Sequence, residues 1–171
     1  KLSVGIHISS TTGHNADFDG DEGNIHMLQT DDARTEARTF MSSPHCIMSG
    51  INSSPVGGII YNGATGGYLL SDDIELKENI FDEGLALLKY PYNKEKKYPL
   101  TGKRLCSYLF PNDFWYSNGK VRIVNGILLK GRLTKSNMGP APNSIVQSIY
   151  KNYGTEATRR FITDGTILFN W

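Results

Sequence analysis

An α+β fold is predicted by three features of this 171-residue chain. Two stretches within its first thirty residues alternate apolar and polar side chains, which is the period of half-buried strands. Several later stretches place apolar residues at helical spacing between good caps. The Asn125-Gly126 pair sits between two apolar-rich runs and signals a hairpin. The composition, 39% hydrophobic and 20% charged, is that of an ordinary soluble protein. No apolar run approaches a membrane span, so no membrane partner is expected.

The elements follow in order. "KLSVGIHIS" puts Leu2, Val4, Ile6 and Ile8 on one face and reads as a strand. "STTGHN" breaks it with turn residues. "NIHMLQ" alternates again through Ile25 and Met27. The stretch between them, "NADFDGDE", is therefore expected on a loop joining two strands. Thr30 is a good N-cap for "DDARTEARTFM", Asp31 and Asp32 suit its positive end, and Ala33, Ala37, Phe40 and Met41 form the apolar stripe. "HCIM" reads as a short strand. "PVGGIIYNGATGGYLL" carries five glycines, yet Val56, Ile59, Ile60, Gly63 and Gly67 fall at helical spacing. It is read as a helix whose glycines permit close packing.

"KENIFDEGLALLKY" is a helix through Ile80, Phe81, Gly84, Leu85 and Leu88, and "PYNKEKKYP" is a loop whose Lys94, Lys96 and Lys97 form a solvated face. "TGKRLCSYLF" is a short helix capped by Thr101 and ended by Pro111. "GKVRIVNGILLKGRL" is the hairpin, with a type I′ turn at Asn125-Gly126, and "KSNMGPAPN" is a loop. "SIVQSIYKNYG" is a helix stopped at Gly154, and "TEATRRFI" starts another. The absence of an initiator methionine and the apolar end "LFNW" suggest a fragment of a longer chain. Cys46 and Cys106 lack the spacing of a zinc site, and a reduced intracellular protein is expected.

Asp17, Asp19 and Asp21 put three like charges within five residues around Gly20. Such a set is unfavourable unless a cation lies among them. Hard carboxylate oxygens suit Mg²⁺, which keeps part of its shell for substrate phosphates. That points to phosphoryl or nucleotidyl transfer. A calcium loop of the EF-hand type fits poorly. Its glycine belongs at Glu22 and its bidentate glutamate at Leu28. A bare acidic turn is the plainer reading, weakened by the interleaved Phe18 and Gly20. The net charge of +1 excludes strong global attraction to nucleic acid, though not binding inside a larger assembly.

"NADFDGDE" resembles the signature of the largest, β′-type subunit of multisubunit DNA-dependent RNA polymerases. The similarity continues through "LSV", "NIHMLQTDDARTEA", "NSSPVGGIIYNGATGGYLL", "PLTGKRLCS", "NGKVRIVNGILLKGRLTKSNMG" and "FNW". It is weakest between Asp72 and Tyr98. The resemblance implies that residues 1–29 end a double-psi β-barrel carrying the catalytic loop, and that 30–171 form a pore or funnel region of mixed helices and a hairpin. It implies that Asp17, Asp19 and Asp21 hold a catalytic Mg²⁺, which activates the RNA 3′-hydroxyl and contacts the incoming α-phosphate. A second Mg²⁺ would arrive with the nucleoside triphosphate. Asn15 would sit near a ribose, Phe18 would anchor the loop in the core, and His26 would be packed and hydrogen-bonded.

The implied partners are the second large polymerase subunit, smaller subunits, DNA template, RNA product and nucleoside triphosphates. The implied compartment is the nucleus or the cytoplasm, or a viral factory. Glu22 and Asn24 place the sequence with eukaryotic, archaeal or large-DNA-virus polymerases, whereas Gly23 stands where that group has methionine. Gly23 suggests a divergent, for instance viral, lineage with less packing behind the loop. The chain alone is expected to be inactive and poorly stable. The alternatives are an inactive structural remnant of the same subunit, or a relative of the RNA-templated silencing polymerases.

Overall fold

The computed structural model describes residues 3–171. A packed body begins near Ile47, and the segment before it lies mostly on the surface.

The first thirty residues depart from expectation. Residues 3–7 and 21–29 belong to no strand, and Leu2 lies outside the described residues. A strand needs a neighbour for its N–H and C=O groups, and the described residues supply none here. Polar side chains bond locally instead. Ile8–Ser10 forms a 3₁₀ turn that runs into α1 (Thr11–His14). The Thr11 hydroxyl donates to the Ile8 carbonyl at 2.7 Å, and the Ser9 N–H donates to His7 Nδ1 at 3.3 Å.

Helix α2 (Asp31–Glu36) starts where its cap predicts. The Thr30 hydroxyl accepts from the Ala33 N–H at 3.2 Å. It runs on as a π-helical turn over Ala37–Met41. Its expected stripe is not packed inward, since Phe40 and Met41 are exposed. "HCIM" yields only an isolated bridge between Met48 and Pro55.

In the body, helix α3 is shorter than the reading of its whole stretch as helix. Residues 56–60 lie outside any helix, and α3 spans Asn62–Leu70. The glycines act as expected. A Cβ on Gly66 would overlap the Phe169 carbonyl oxygen, and one on Gly67 would lie 2.6 Å from Met138 Cε. Helix α4 (Glu78–Ala86) buries Phe81 and Gly84. Helix α5 (Gly102–Ser107) is capped by the Thr101 hydroxyl, which accepts from the Arg104 N–H at 3.3 Å.

A three-stranded antiparallel sheet follows in the order β1 (Tyr116–Ser117), β2 (Arg122–Val124), β3 (Ile127–Lys130). Asn125 and Gly126 have φ of 50° and 66°, as a type I′ turn requires. Two buried serines complete the hairpin's hydrogen bonding. Ser107 Oγ accepts from the Leu128 N–H at 3.0 Å, and Ser71 Oγ accepts from the Leu133 N–H at 2.8 Å.

The expected loop "KSNMGPAPN" contains a short helix, α6 (Lys135–Met138). Thr134 and Asn137 cap it reciprocally, with Asn137 doing the work usually given to Glu or Gln. Helix α7 (Ile145–Asn170) is broken at Gly154, whose φ of 80° and ψ of −171° are not helical. The predicted stop is therefore present, and the next helix continues from it. The core gathers Phe81, Leu105, Phe110, Phe114, Ile123 and Phe161, all essentially fully buried. Phe110 stacks on both Phe114 and Phe161, at 5.7 and 5.6 Å between ring centroids.

Candidate metal centre

The aspartate loop grows directly from α1. Asn15 caps that helix in the left-handed region (φ 48°), a conformation asparagine tolerates. Its N–H donates to the Thr12 carbonyl at 3.2 Å, and the Ala16 N–H donates to the Thr11 carbonyl at 2.9 Å. The chain leaves the cap at Asp17. Gly20, at φ 126°, then takes a backbone shape that side chains disfavour. This turns Asp21 back toward Asp17.

Two backbone donors hold the turn. The Asp17 N–H donates to Asp21 Oδ2 at 3.0 Å, and the Asp19 N–H to Asp17 Oδ1 at 3.4 Å. One carboxylate oxygen from each of Asp17, Asp19 and Asp21 falls within 4.8 Å of the other two. Among the described residues this is the only group of three or more His, Cys, Asp or Glu gathered closely enough to share an ion.

The donor set fits Mg²⁺. Adjacent ligands on an octahedral shell at 2.0–2.1 Å lie about 3 Å apart, and the three carboxylate oxygens already fall within 4.8 Å of one another. All three carboxylates are exposed, leaving the remaining coordination positions open to water or phosphate.

The neighbours of the loop differ from expectation. Phe18 is 69% exposed and anchors nothing in this chain, and His26 is exposed rather than packed. A Cβ at Gly23 would meet nothing within 4 Å. All three positions lie on the exposed span 17–30, which has no core of its own.

Sequence reasoning missed a cleft of about 750 Å³ beside α1. His7, His14, His45, Cys46, Arg159 and Thr163 contribute to its walls. More than a hundred residues separate its two sides, so no local spacing announces it.

Several charges on the body are held in ion pairs. Lys96 bridges Glu78 and Asp82 at 2.9 and 2.7 Å, and Lys97 meets Glu95 at 2.9 Å. Lys94 departs from the solvated face expected of it. It is half-buried, donates to Asn112 Oδ1 at 3.1 Å, and is pulled down to about 8 by burial and by the nearby Arg104 charge. Lys89, Arg159 and Arg160 surround the Tyr90 ring at 5.2–5.4 Å from its centroid. The buried Asp164 carboxylate accepts the N–H groups of Lys89 and Tyr90 at 3.1 and 2.7 Å. Burial pushes the Cys106 thiol far above its ordinary range.

Comparison with known proteins identifies the family. Residues 46–171 match the family model described as RNA polymerase Rpb1, domain 3, and residues 2–43 match RNA polymerase Rpb1, domain 2. The chain belongs to the Rpb1 family of RNA polymerase largest subunits. A probable DNA-directed RNA polymerase II subunit RPB1 homolog of Invertebrate iridescent virus 6 is 31% identical over 192 residues, covering 96% of this chain. Subunit RPB1-B of Trypanosoma brucei brucei is 32% identical over 174 residues, covering 92%. Subunit Rpo1N of Methanothermobacter thermautotrophicus is 31% identical over 176 residues, covering 91%. The chain spans only 19%, 10% and 20% of these three Rpb1-family relatives. Viral, eukaryotic and archaeal relatives together bear out the grouping drawn from Glu22 and Asn24. No helix among the described residues is long and apolar enough to cross a membrane.

Proposed function

We propose that this chain is a catalytic-core piece of a DNA-directed RNA polymerase, and that Asp17, Asp19 and Asp21 hold the Mg²⁺ used in nucleotidyl transfer. The observation that carries the proposal is the convergence of three carboxylate oxygens within 4.8 Å on a loop held by its own backbone donors. Mg²⁺ bound there would activate the 3′-hydroxyl of RNA and neutralise charge developing on the α-phosphate.

The chain's own residues supply position. Asp17 and Asp21 are tied through the Asp17 N–H, which fixes two ligands relative to one another. Asp19 is placed between them by its own N–H bond to Asp17. Asn15, at the cap where the loop leaves α1, is offered to the ribose of the primer end or the incoming nucleotide. Residues 30–171 would border the path by which nucleotides reach the loop. The other large subunit, smaller subunits and a DNA template would complete the site. Residues 3–7 and 21–29, exposed and outside any helix or strand, would pair with further strands of a double-psi β-barrel.

The test is Asp19→Asn in the assembled polymerase, read by single-nucleotide extension of an RNA primer on a DNA template. The substitution keeps the shape and removes the charge. It is expected to lower the extension rate by about a hundredfold or more, as loss of a group that stabilises transition-state charge does. Unchanged extension by that variant would refute the proposal.

A further inference from the structure

We infer that Asn118 is a site of spontaneous modification, at which the Gly119 backbone nitrogen closes on the side-chain amide and converts the asparagine to aspartate and isoaspartate. The chain holds three Asn-Gly pairs, at Asn62, Asn118 and Asn125. Glycine favours the closure because it brings no side chain against the amide carbon. The hydrogen bonds around each pair set the second apart from the other two.

The reaction needs no co-reactant but water. The Gly119 N–H gives its proton to solvent base, and the nitrogen forms a bond to Asn118 Cγ. The Cγ–Nδ2 bond breaks and Nδ2 leaves as ammonia. Water then opens the cyclic imide, giving aspartate where it adds at Cγ and isoaspartate where it adds at the Asn118 main-chain carbonyl. Two conditions set the rate. The glycine nitrogen must be free to lose its proton, and the Asn-Gly peptide must be free to turn.

Asn62 and Asn125 each fail one of these conditions. Asn62 opens helix α3, and the Ala64 and Thr65 N–H groups beyond it donate to the Tyr61 carbonyl at 3.0 and 3.3 Å. Turning the Asn62-Gly63 peptide breaks both bonds. Gly63 is also buried, and a Cβ there would stand 2.9 Å from Ile59 Cγ2. At Asn125 the nucleophile itself is engaged, because the Gly126 N–H donates to the Phe114 carbonyl at 2.8 Å. Gly126 is pressed against the Pro111 carbonyl, which a Cβ would overlap.

Asn118 meets both conditions. It begins the connection from β1 to β2, where its N–H donates to the Val121 carbonyl at 3.2 Å and its Oδ1 accepts from the Val121 N–H at 3.1 Å. The side chain stands in for the main-chain carbonyl that would ordinarily accept that bond. The Asn118-Gly119 peptide therefore takes no part in holding the turn. Among the described residues neither the Asn118 carbonyl nor the Gly119 N–H has a hydrogen-bond partner. The bond from Val121 also draws electron density from Cγ, which makes that carbon a better electrophile. The product has consequences for the fold. Asn118 Nδ2 donates to the Tyr116 hydroxyl at 3.1 Å, and that hydroxyl donates to the Asn143 carbonyl at 2.9 Å. Aspartate has no such donor, so the single Tyr116 proton would face two acceptors. Isoaspartate adds a main-chain carbon beside the Ser117–Arg122 pair and disturbs its register.

The test ages the assembled polymerase in mildly alkaline buffer made with ¹⁸O-water, beside a urea-unfolded sample in the same buffer. Both are digested, and mass spectrometry follows ¹⁸O-bearing aspartate and isoaspartate at Asn62, Asn118 and Asn125, with an unaged digest as the baseline. In the assembled enzyme Asn118 is expected to convert about tenfold faster than the other two, each of which must first give up a backbone hydrogen bond. In urea the three rates should converge, because the same dipeptide is then freed from its fold.

An assembled enzyme in which Asn62 or Asn125 keeps pace with Asn118 would overturn the inference. So would an Asn118 that stays intact in the assembled enzyme while the unfolded sample converts.

Discussion

Gly58→Ala is expected to destabilise the body sharply, although it adds one methyl group to a residue with ordinary backbone angles. A Cβ at Gly58 would stand 2.7 Å from the Gly139 carbonyl carbon, 2.9 Å from Gly139 Cα and 2.9 Å from the Met138 carbonyl oxygen. All three are backbone atoms, so no side chain can swing aside. Comfortable carbon contacts begin near about 3.5 Å, which leaves each approach more than half an ångström short. Nor can the strip slide away freely, because the Ile59 N–H is bonded to the Met138 carbonyl at 3.0 Å. Overpacking of this kind costs about 2–3 kcal/mol. In a chain of this size that lowers Tm by about 4–12 °C. The matched control is Gly50→Ala, where a Cβ meets nothing within 4 Å. There the loss of unfolded-state entropy should leave stability unchanged or raised by about 0.5 kcal/mol. Thermal unfolding followed by circular dichroism compares the two. A Gly58→Ala melting point within 2 °C (roughly 1 kcal/mol or less) of the Gly50→Ala value would refute the reasoning.

Two further outcomes test the body's polar groups. Lys94, drawn down to about 8 against an ordinary 10.5, should titrate ahead of the other lysines when ¹³C-labelled side chains are followed by NMR. Because its folded value is depressed, the unfolded chain binds the extra proton between pH 8 and 10.5, so its contribution to stability should improve as pH rises through that window; a midpoint above 10 would contradict this. Asp164→Ala strands the Lys89 and Tyr90 N–H groups that the carboxylate now accepts, and urea unfolding should report a loss of about 2–4 kcal/mol, whereas a loss under about 1 kcal/mol would mean water replaces the carboxylate there.

What could be read in the sequence was what short stretches decide for themselves. The Asn125-Gly126 turn, the Thr30 and Thr101 caps and the break at Gly154 each depend on a few adjacent residues, and each lies where it was expected. The aspartate cluster was legible for the same reason, being five residues long. Helix α6 was missed because its reciprocal cap uses Asn137 in place of Glu or Gln. The predicted strands at either side of the aspartates failed for a different cause. Alternation specifies which face a strand would bury, but not whether another strand is there to pair with it. The contact of Ser9 Oγ with Thr166 Oγ1 joins residues 157 positions apart, and no periodicity reports such a pairing.

The two parts of the chain hold their shape by different physics. The body from Ile47 onward buries its aromatics and satisfies hairpin N–H groups with buried serines, so its geometry is overdetermined. The aspartate loop has two local N–H bonds, one glycine in a side-chain-forbidden conformation and three charges that repel one another. Like charges so placed oppose the very convergence that makes a binding site, and exposed apolar neighbours such as Phe18, Ile25 and Met27 give no packing to offset it. A bound cation would supply the missing attraction, but a cation fixes only the distances among its ligands. It cannot fix where the cluster stands relative to anything else. That second task needs neighbours that are themselves held, which the proposed pairing of residues 3–7 and 21–29 with further strands would supply in the assembly.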